Sequence, residues 1–379
     1  MNVLVTGARG FIGRNLIAHL ETHQGCVVTR FDVDNSLDDL REALETADIV
    51  YHIAGVNRPR IAEDFEIGNA GLTRDICEIL RKLGRRPVMV ISSSVQAALE
   101  NPYGVSKRHA EDILREFAAR SGAPVHIYRL KNVFGKWCRP NYNSAVATFC
   151  HNIANDLPIQ ISDPSRELEL VYVDDVVKAF LAELPDRSGT NGQRIIPSFK
   201  LTLGDLAGRI QSFHDMRTNL LSPDFAVRFN QQLYATYLSY VRDEERRQHL
   251  EIQSDQRGSL AEFIKSNHFG QIFVSRTRPG ITRGNHYHHT KAEKFFVVGG
   301  EGMIRMRQIE SSEVLEYRVR GEDFQVIDIP PGYTHSIENI GSGDMVTLFW
   351  ASEIFDPDRP DTYFLPVLAP AESPVPVTA

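Results

Sequence analysis

Cysteine is scarce in this chain. Its four copies, Cys26, Cys77, Cys138 and Cys150, are scattered through the first 150 of 379 residues and form no CxxC pair. That pattern excludes a disulfide scaffold and a cysteine-based zinc finger, and it fits a reduced, cytoplasmic protein. No run of lysine and arginine stands out and the formal net charge is −7, so no nucleic acid partner is expected. No apolar stretch reaches the ~18 residues that a membrane span needs, so no membrane partner is expected either. The N-terminus, MNVLVTGARG, has no charged region ahead of a long apolar core and reads as a strand rather than a secretory signal. No internal repeat is visible. What remains is an ordinary soluble globular composition, 42% hydrophobic and 24% charged. At roughly 100–200 residues per domain, this length predicts two domains or three.

Up to about residue 180, short apolar runs alternate with helical patterns. The runs are Val3–Thr6, Val27–Phe31, Ile49–Ile53, Val88–Ser92 and Val125–Leu130; the helical patterns are Ile12–Glu21, Leu37–Thr46, Leu72–Leu83 and Ser106–Ser121. This alternation predicts an α/β Rossmann-like fold, a doubly wound parallel sheet with helices on both faces. Helical patterns continue at Leu203–His214 and Phe225–Tyr240, and the charge-dense Asp243–Gln248 reads as a linker. Beyond about 250 the segments shorten and are separated by Gly or Pro: Gln271–Arg276, Lys294–Val298, Gly302–Gln308, Val314–Val319, Gln325–Ile329 and Met345–Trp350. Short strands with frequent turns predict an all-β barrel or sandwich. The expected organisation is a first domain over 1–245, a second over 246–368 and a disordered Pro- and Ala-rich tail over 369–379.

The first strand runs into Gly7-Ala8-Arg9-Gly10-Phe11-Ile12-Gly13, with a helix following. Such a glycine loop between strand and helix lets backbone approach a pyrophosphate, which then meets the unpaired N–H groups of the helix start. Asp32 closes the second strand, where a carboxylate would hold the adenosine ribose and favour NAD. Arg9 and Arg30 lie close by and would instead hold a 2′-phosphate, favouring NADP. The residues leave that choice open.

The strand at Val88–Ile91 ends in Ser92-Ser93-Ser94, and nine residues past Ser94 comes Tyr103-Gly104-Val105-Ser106-Lys107. Tyr103 and Lys107, at i and i+4, share a helix face. A free tyrosine with pKa near ~10 is a poor acid–base group at neutral pH. A nearby ammonium and an oxidised nicotinamide would stabilise its phenolate. Tyr103 could then give a proton to a carbonyl oxygen while Ser94 hydrogen-bonds the same atom.

These residues resemble the extended short-chain dehydrogenase/reductase family. The matches are TGARGFIG at 6–13, HIAG at 52–55, SSS at 92–94, YGVSK at 103–107, RLKNVFG at 129–135 and YVDD at 172–175, within about 1–240. The resemblance implies Ser94, Tyr103 and Lys107 as catalytic residues. It implies coenzyme contacts from Gly7, Arg9, Gly10, Phe11, Ile12, Gly13, Asp32, Ala54 and Lys107. It also implies a nucleotide-linked sugar as substrate. The stretch between Ser94 and Tyr103 is short for the family, which predicts an open substrate side.

In the second half, Gly280-x5-His286-x-His288-x4-Glu293-x6-Gly300 precedes Pro330-x-Gly332-x2-His335-x3-Asn339. Along a strand, His286 and His288 face the same way. Three imidazoles and a carboxylate make a nitrogen/oxygen metal site, with zinc the first choice and manganese, iron or nickel compatible. The two-part pattern is similar to that of the cupin family, a small jelly-roll barrel, over roughly 250–365. The second part departs from it, because Phe324 stands where an early glycine is usual. His268 and His289 are spare histidines.

The order of the two halves resembles the bifunctional family of UDP-N-acetyl-L-fucosamine synthesis, which serves capsule and O-antigen polysaccharides. AGVNRP at 54–59, NPYG at 101–104, FGKWCRPNYNS at 134–144, YLSY at 237–240, GNHYHHTK at 284–291, GYTHSIEN at 332–339 and FDPDRPDTYF at 355–364 add to this likeness. It implies a UDP-linked 4-keto-6-deoxy N-acetylhexosamine epimerised at C3 by the cupin half. The reductase half then reduces C4 with NADPH, NADH being the alternative, to UDP-2-acetamido-2,6-dideoxy-L-talose. Proton-transfer candidates in the cupin half are His289, Tyr333 and Lys294, and a homodimer is expected. The rival reading is an NAD-retaining sugar-nucleotide 4-epimerase with a purely structural, dimerising cupin.

Overall fold

In the first half, strands such as Asn2–Thr6, Ile49–His52 and Val88–Ser94 are nearly continuous apolar runs, so a parallel sheet can bury both faces. A computed structural model describes residues 1–184, 192–194 and 196–368; the expected tail at 369–379 lies outside them. The described chain divides into two compact units. One comprises Met1–Gln211 and Gln231–Arg242; the other comprises Ser212–Asn230 and the chain from Asp243 onward.

The first unit begins β1 (Asn2–Thr6), α1 (Phe11–Leu20), β2 (Val27–Phe31), α2 (Leu37–Thr46) and β3 (Ile49–His52). A single turn, α3 (Glu63–Phe65), and α4 (Leu72–Leu83) lead to β4 (Val88–Ser94), α5 (Pro102–Ser121) and β5 (Val125–Leu130). With Gly192–Arg194 these strands form one parallel six-stranded sheet in the order β2-β1-β3-β4-β5 and then Gly192–Arg194. Val3, Val5, Tyr51 and Val90 pack on one face with Leu16, Leu20 and Phe180. Leu4, Val50, Met89 and Ile91 pack on the other with Leu40, Ile76, Leu80 and Leu114. This is the doubly wound arrangement expected from the alternation. A small sheet of Asn132–Phe134, Glu167–Tyr172 and Phe199–Thr202 follows.

α5 starts four residues before the periodicity suggested. Asn101 caps it by accepting from the Gly104 N–H at 2.8 Å, and Pro102 takes the first position, where its missing N–H costs nothing. The charge-rich 243–248 segment is docked rather than a free linker. Arg217 donates to the Glu245 carbonyl, and Gln248 donates to the Arg217 carbonyl.

From Gln253 onward the strands of the second unit pair antiparallel. One sheet holds six strands, Gln253–Asp255, Gly258–Ser266, Gly270–Thr277, Met345–Ala351, Glu293–Gly299 and Val326–Ile329. The other holds five, Leu315–Arg320, Glu301–Gln308, Tyr333–Asn339, Thr282–Tyr287 and Tyr363–Phe364. Their inner faces share one core, with Phe295, Val297 and Phe349 from the first meeting Ile304, Met306 and Ile337 from the second. Among the described residues no strand ladder joins the sheets. The jelly roll is therefore a two-sheet sandwich held by side-chain packing, not a closed barrel.

Phe324 adopts φ +50, the left-handed region that side chains disfavour, and is 76% exposed with its ring 6.1 Å from that of Phe296. Left-handed geometry costs a non-glycine residue roughly 1–2 kcal/mol, while glycine costs about 0.5–1 kcal/mol in chain entropy. Phe324→Gly is therefore expected to leave thermal stability unchanged or to raise it by up to about 1 kcal/mol. A clear fall in Tm would show that the ring, not the backbone, holds this turn.

Candidate functional sites

Strand order reverses between β1 and β3, which opens a crevice at their C-terminal ends. There the Gly7–Gly10 turn leads into α1. A Cβ on Gly13 would lie 2.1 Å from the Gly7 carbonyl oxygen, so only glycine lets the helix pass so close to the strand. Gly10 caps α1 without a side-chain hydrogen bond, and no acidic residue stands in the first turn. The N–H groups of Phe11, Ile12 and Gly13 at the helix start thus have no side-chain cap, which suits a phosphate. Ala54 packs against Gly7 across the crevice and donates its N–H to Thr6 Oγ1 at 3.2 Å.

Beside the loop lies a cavity of about 570 Å³ lined by Ala8, Arg9, Arg14, Arg30, Asp32 and Asn35. The Asp32 carboxylate is turned onto its own backbone, accepting from the Arg9 N–H at 2.7 Å and the Val33 N–H at 2.9 Å. Arg9 pairs with Asp34 and Arg30 with Glu21, both at the exposed surface. Arg14, which the sequence reading passed over, lines the cavity with them.

Ser94 ends β4, and Tyr103 and Lys107 lie one turn apart at the start of α5. Lys107 is only 5% exposed; burial lowers its pKa to about 8, against an opposing pull from Glu111. Burial also raises the Tyr103 phenol, and a hydrogen bond with Ser94 works the other way. The protein's own groups therefore do not produce the lowered tyrosine pKa expected from the sequence, because desolvation of the phenolate outweighs them. The result is a tyrosine that keeps its proton, the form needed to donate to a ketone.

Two buried networks brace this triplet. His52 Nε2 donates to Thr73 Oγ1 at 2.9 Å, since the Thr73 hydroxyl proton is already given to the Asn69 carbonyl at 2.7 Å. His52 Nδ1 then accepts from Thr6 Oγ1 at 2.8 Å. Burial, with a smaller contribution from Lys107, lowers the His52 pKa to about 3 and keeps the ring neutral. Asn69 continues the chain to Ser106 Oγ at 2.9 Å, which donates to the Tyr103 carbonyl at 2.8 Å. On the other side of α5 the fully buried Glu111 accepts from Ser93 Oγ at 2.5 Å and from Arg129 at 2.9 and 2.7 Å. His52, Ser93 and Arg129 fall in the HIAG, SSS and RLKNVFG motifs, which was the signal available for them.

In the second unit, ligand atoms of His286, His288, Glu293 and His335 all lie within 4.8 Å of one another. His286 stands directly opposite His335, after a bulge between Gly284 and His286. Gly284 has φ +96, and a Cβ there would lie 2.7 Å from the His335 carbonyl oxygen. The bulge aims His286 inward. His288 lies just past the strand end. Its Nδ1 donates to the Asp361 carbonyl, and His335 Nδ1 donates to the Tyr333 carbonyl at 3.1 Å. Both rings thereby present Nε2 to the site, and both Nε2 atoms are buried without a hydrogen-bond partner. They lie 3.3 and 3.1 Å from Glu293 Oε2. Burial would push the Glu293 carboxyl up, but the His288 and His335 imidazoles overcome it and hold it well below the usual carboxylate range. Burial and the two neighbouring rings lower the His286 pKa to about 4. Two unpartnered ring nitrogens converging on an ionised carboxylate fit a divalent metal.

Of the proton-transfer candidates, Lys294 points to the opposite face from Glu293 and pairs with Asp328. His289 is exposed against the rings of Tyr287 and Tyr363, at 5.3 and 4.8 Å. Tyr333 shares the inward face of its strand with His335. His268 sits exposed in a turn away from the cluster.

The residue missed here is Asp361, in the FDPDRPDTYF stretch. Its carboxylate accepts from the backbone N–H groups of His289, Thr290 and Lys291 at 2.9, 3.0 and 3.1 Å, while its carbonyl orients His288. An amide would turn an NH2 toward these donors. By loosening the 289–291 turn that seats the Asp361 carbonyl against His288, Asp361→Asn is expected to weaken divalent-metal affinity by about 10-fold. Chelator competition measures this, and unchanged affinity would show that His288 is held by other means.

Residues 3–196 match the NAD dependent epimerase/dehydratase family and residues 253–363 the polysaccharide biosynthesis C-terminal domain. The chain is 43% identical over 364 residues to the UDP-2-acetamido-2,6-beta-L-arabino-hexul-4-ose reductase of Pseudomonas aeruginosa, covering 96% of this chain and 98% of that one. The crystal structure of the capsular polysaccharide assembling protein CapF from Staphylococcus aureus is 44% identical, with a TM-score of 0.89 over 97% of this chain and 100% of that one. A UDP-glucuronic acid 4-epimerase from Bacillus cereus in complex with NAD, 19% identical, aligns with a TM-score of 0.54 over 64% of this chain and 96% of its own and shares the fold alone. With that agreement along nearly its whole length, the chain belongs to the NAD dependent epimerase/dehydratase family, as a nicotinamide-dependent enzyme carrying a polysaccharide biosynthesis C-terminal domain.

Proposed function

We propose that this protein makes UDP-2-acetamido-2,6-dideoxy-L-talose in two steps. The second unit epimerises C3 of a UDP-linked 4-keto-6-deoxy N-acetylhexosamine, and the first unit then reduces the C4 ketone. The observation that carries this reading is full-length similarity to an enzyme named as a hexul-4-ose reductase, joined to a Ser94–Tyr103–Lys107 set in which Ser94 hydrogen-bonds the tyrosine. A C3 proton is acidic only while C4 is a ketone, so epimerisation precedes reduction. This order accounts for the pairing of the two activities in one chain.

In the reduction, Ser94 and Tyr103 bind the C4 oxygen and Tyr103 gives it the phenolic proton; a reduced nicotinamide held at the Gly7–Gly13 loop would supply the hydride to C4. One turn along α5, the Lys107 ammonium supplies the positive charge that stabilises the phenolate left on Tyr103 when its proton leaves. NADPH is the favoured coenzyme, with NADH the alternative. Three guanidiniums line the cavity beside the loop, their surface ion pairs are weak, and the Asp32 oxygens are already engaged. In the epimerisation, Tyr333 is the proton-transfer candidate on the inward face. A zinc ion held by His286, His288, Glu293 and His335 would supply fixed positive charge for a developing enolate oxygen. A cytoplasmic location, in keeping with four unpaired thiols, and a homodimer complete the proposal. Among the described residues no helix is long and apolar enough to cross a membrane.

With the 4-keto sugar nucleotide in D2O, wild-type protein should wash deuterium into C3 and oxidise NADPH. Tyr103→Phe should abolish the oxidation, followed by nicotinamide absorbance, and leave the exchange intact. Failure of the wild type to oxidise either coenzyme would sink the reductase reading, and reduced coenzyme regenerated without net loss would favour the 4-epimerase. Since the Lys107 ammonium is present below its pKa and lost above it, kcat for reduction should fall as pH rises through about 8. A rate that stays level to pH 9.5 would remove the ammonium from the mechanism.

A further inference from the structure

The coenzyme crevice and the catalytic triplet leave AGVNRP and FGKWCRPNYNS without a role, and the structure brings these two stretches together. Arg58 donates from Nε to Asn143 Oδ1 at 2.8 Å, with its guanidinium carbon 5.1 Å from the Tyr142 ring centre. The Arg139 guanidinium lies 5.3 Å from the same ring. The tyrosine thus gathers two exposed arginines, and among the described residues neither is ion-paired with a carboxylate. Two like charges gathered on one ring without a carboxylate partner among the described residues, in a chain of net charge −7, mark a place for an anion.

Three further features agree. The helix Ala145–Ala154 begins directly after this cluster with no acidic residue in its first turn; Ser144 Oγ caps the Ala147 N–H at 3.2 Å, and the helix's positive end adds to the two guanidiniums. The loop bearing Arg139 is pinned, with Tyr240 donating to the Cys138 carbonyl at 2.5 Å and the Asn141 N–H donating to Thr148 Oγ1 at 3.0 Å. Trp137 and Asn141, on either side of Arg139, hold left-handed φ values of 69° and 54°, a cost that persists only where the surroundings enforce it. The loops also leave the same edge of the sheet. Arg58 follows the C-terminal end of β3 and Arg139 follows β5 and Asn132–Phe134, on either side of β4, which ends at Ser94. In open parallel sheets that edge is where ligands bind.

We infer that Arg58, Tyr142 and Arg139 form a clamp for the diphosphate of the nucleotide-sugar substrate, separate from the glycine loop that takes the coenzyme. The inference rests on the sugar-nucleotide reading above. Planar guanidiniums fit phosphate oxygens in pairs, and the tyrosine ring holds both in place before the ligand arrives.

The test is calorimetric titration of the full chain with UDP and with uridine, alongside steady-state kinetics. Arg58→Ala and Arg139→Ala should each weaken UDP binding by about 10- to 100-fold, the range for a charged hydrogen bond, and bring it toward uridine. KM for the sugar nucleotide should rise with kcat and the NADPH KM little changed, and Arg58→Lys should recover part of the loss. Unaltered NADPH binding by the variants shows that the unit is folded. If wild type binds UDP and both alanine variants bind it within twofold as well, the clamp is overturned and the sugar-nucleotide reading stands. If wild type binds neither UDP nor the sugar nucleotide, that reading fails and the clamp fails with it.

Discussion

Reversal of strand order between β1 and β3 is the constraint on which the first unit depends. It leaves a crevice that no crossover helix fills, and the chain must turn tightly there, which the Gly7–Gly13 spacing permits. Every strand of that sheet runs the same way, so the ends of β1, β3, β4 and β5 come to one edge. The glycine loop, Ser94 and the arginine-bearing loops are therefore neighbours by topology, although the sequence separates them by dozens of residues.

Burial is the second theme, with different effects in the two units. Around Lys107 and Tyr103 it disfavours charge, easing the lysine toward neutrality and keeping the tyrosine protonated. The adjoining His52 is neutral for the same reason, and each of its nitrogens has a threonine hydroxyl partner. At Glu293 burial loses, because the His288 and His335 imidazoles lie at hydrogen-bond range of its carboxylate and favour the ionised form. A group forced to keep its charge in a poorly solvated place needs compensation. That compensation is what a cation would add.

Much of the site was legible because its residues come in short local patterns. Glycine spacing, the YxxxK turn and the HxH pair each report geometry set by one helix or strand. Asp361 was not legible as a site residue: it lies more than seventy positions from the hairpin it braces, and only the folded sandwich brings its backbone to His288. Arg58 and Arg139 were quoted in motifs but given no task, because their meeting at Tyr142 depends on two loops on opposite sides of β4.

The sequence by itself determined the alternation that makes a doubly wound sheet, the glycine turn at its crevice and which side chains stand as candidates for catalysis and for the His/Glu cluster. These follow from periodicity and local stereochemistry, which act over a few residues. Tertiary structure decided that the second unit is an open sandwich rather than a closed barrel, since closure depends on ladders between distant strands. It decided that the Tyr103 phenol is pushed up rather than down, since desolvation depends on everything packed around the ring. It also decided that Lys294 faces away from the metal cluster while Asp361 faces it, because a side chain's surroundings are set by contacts the chain makes only after folding.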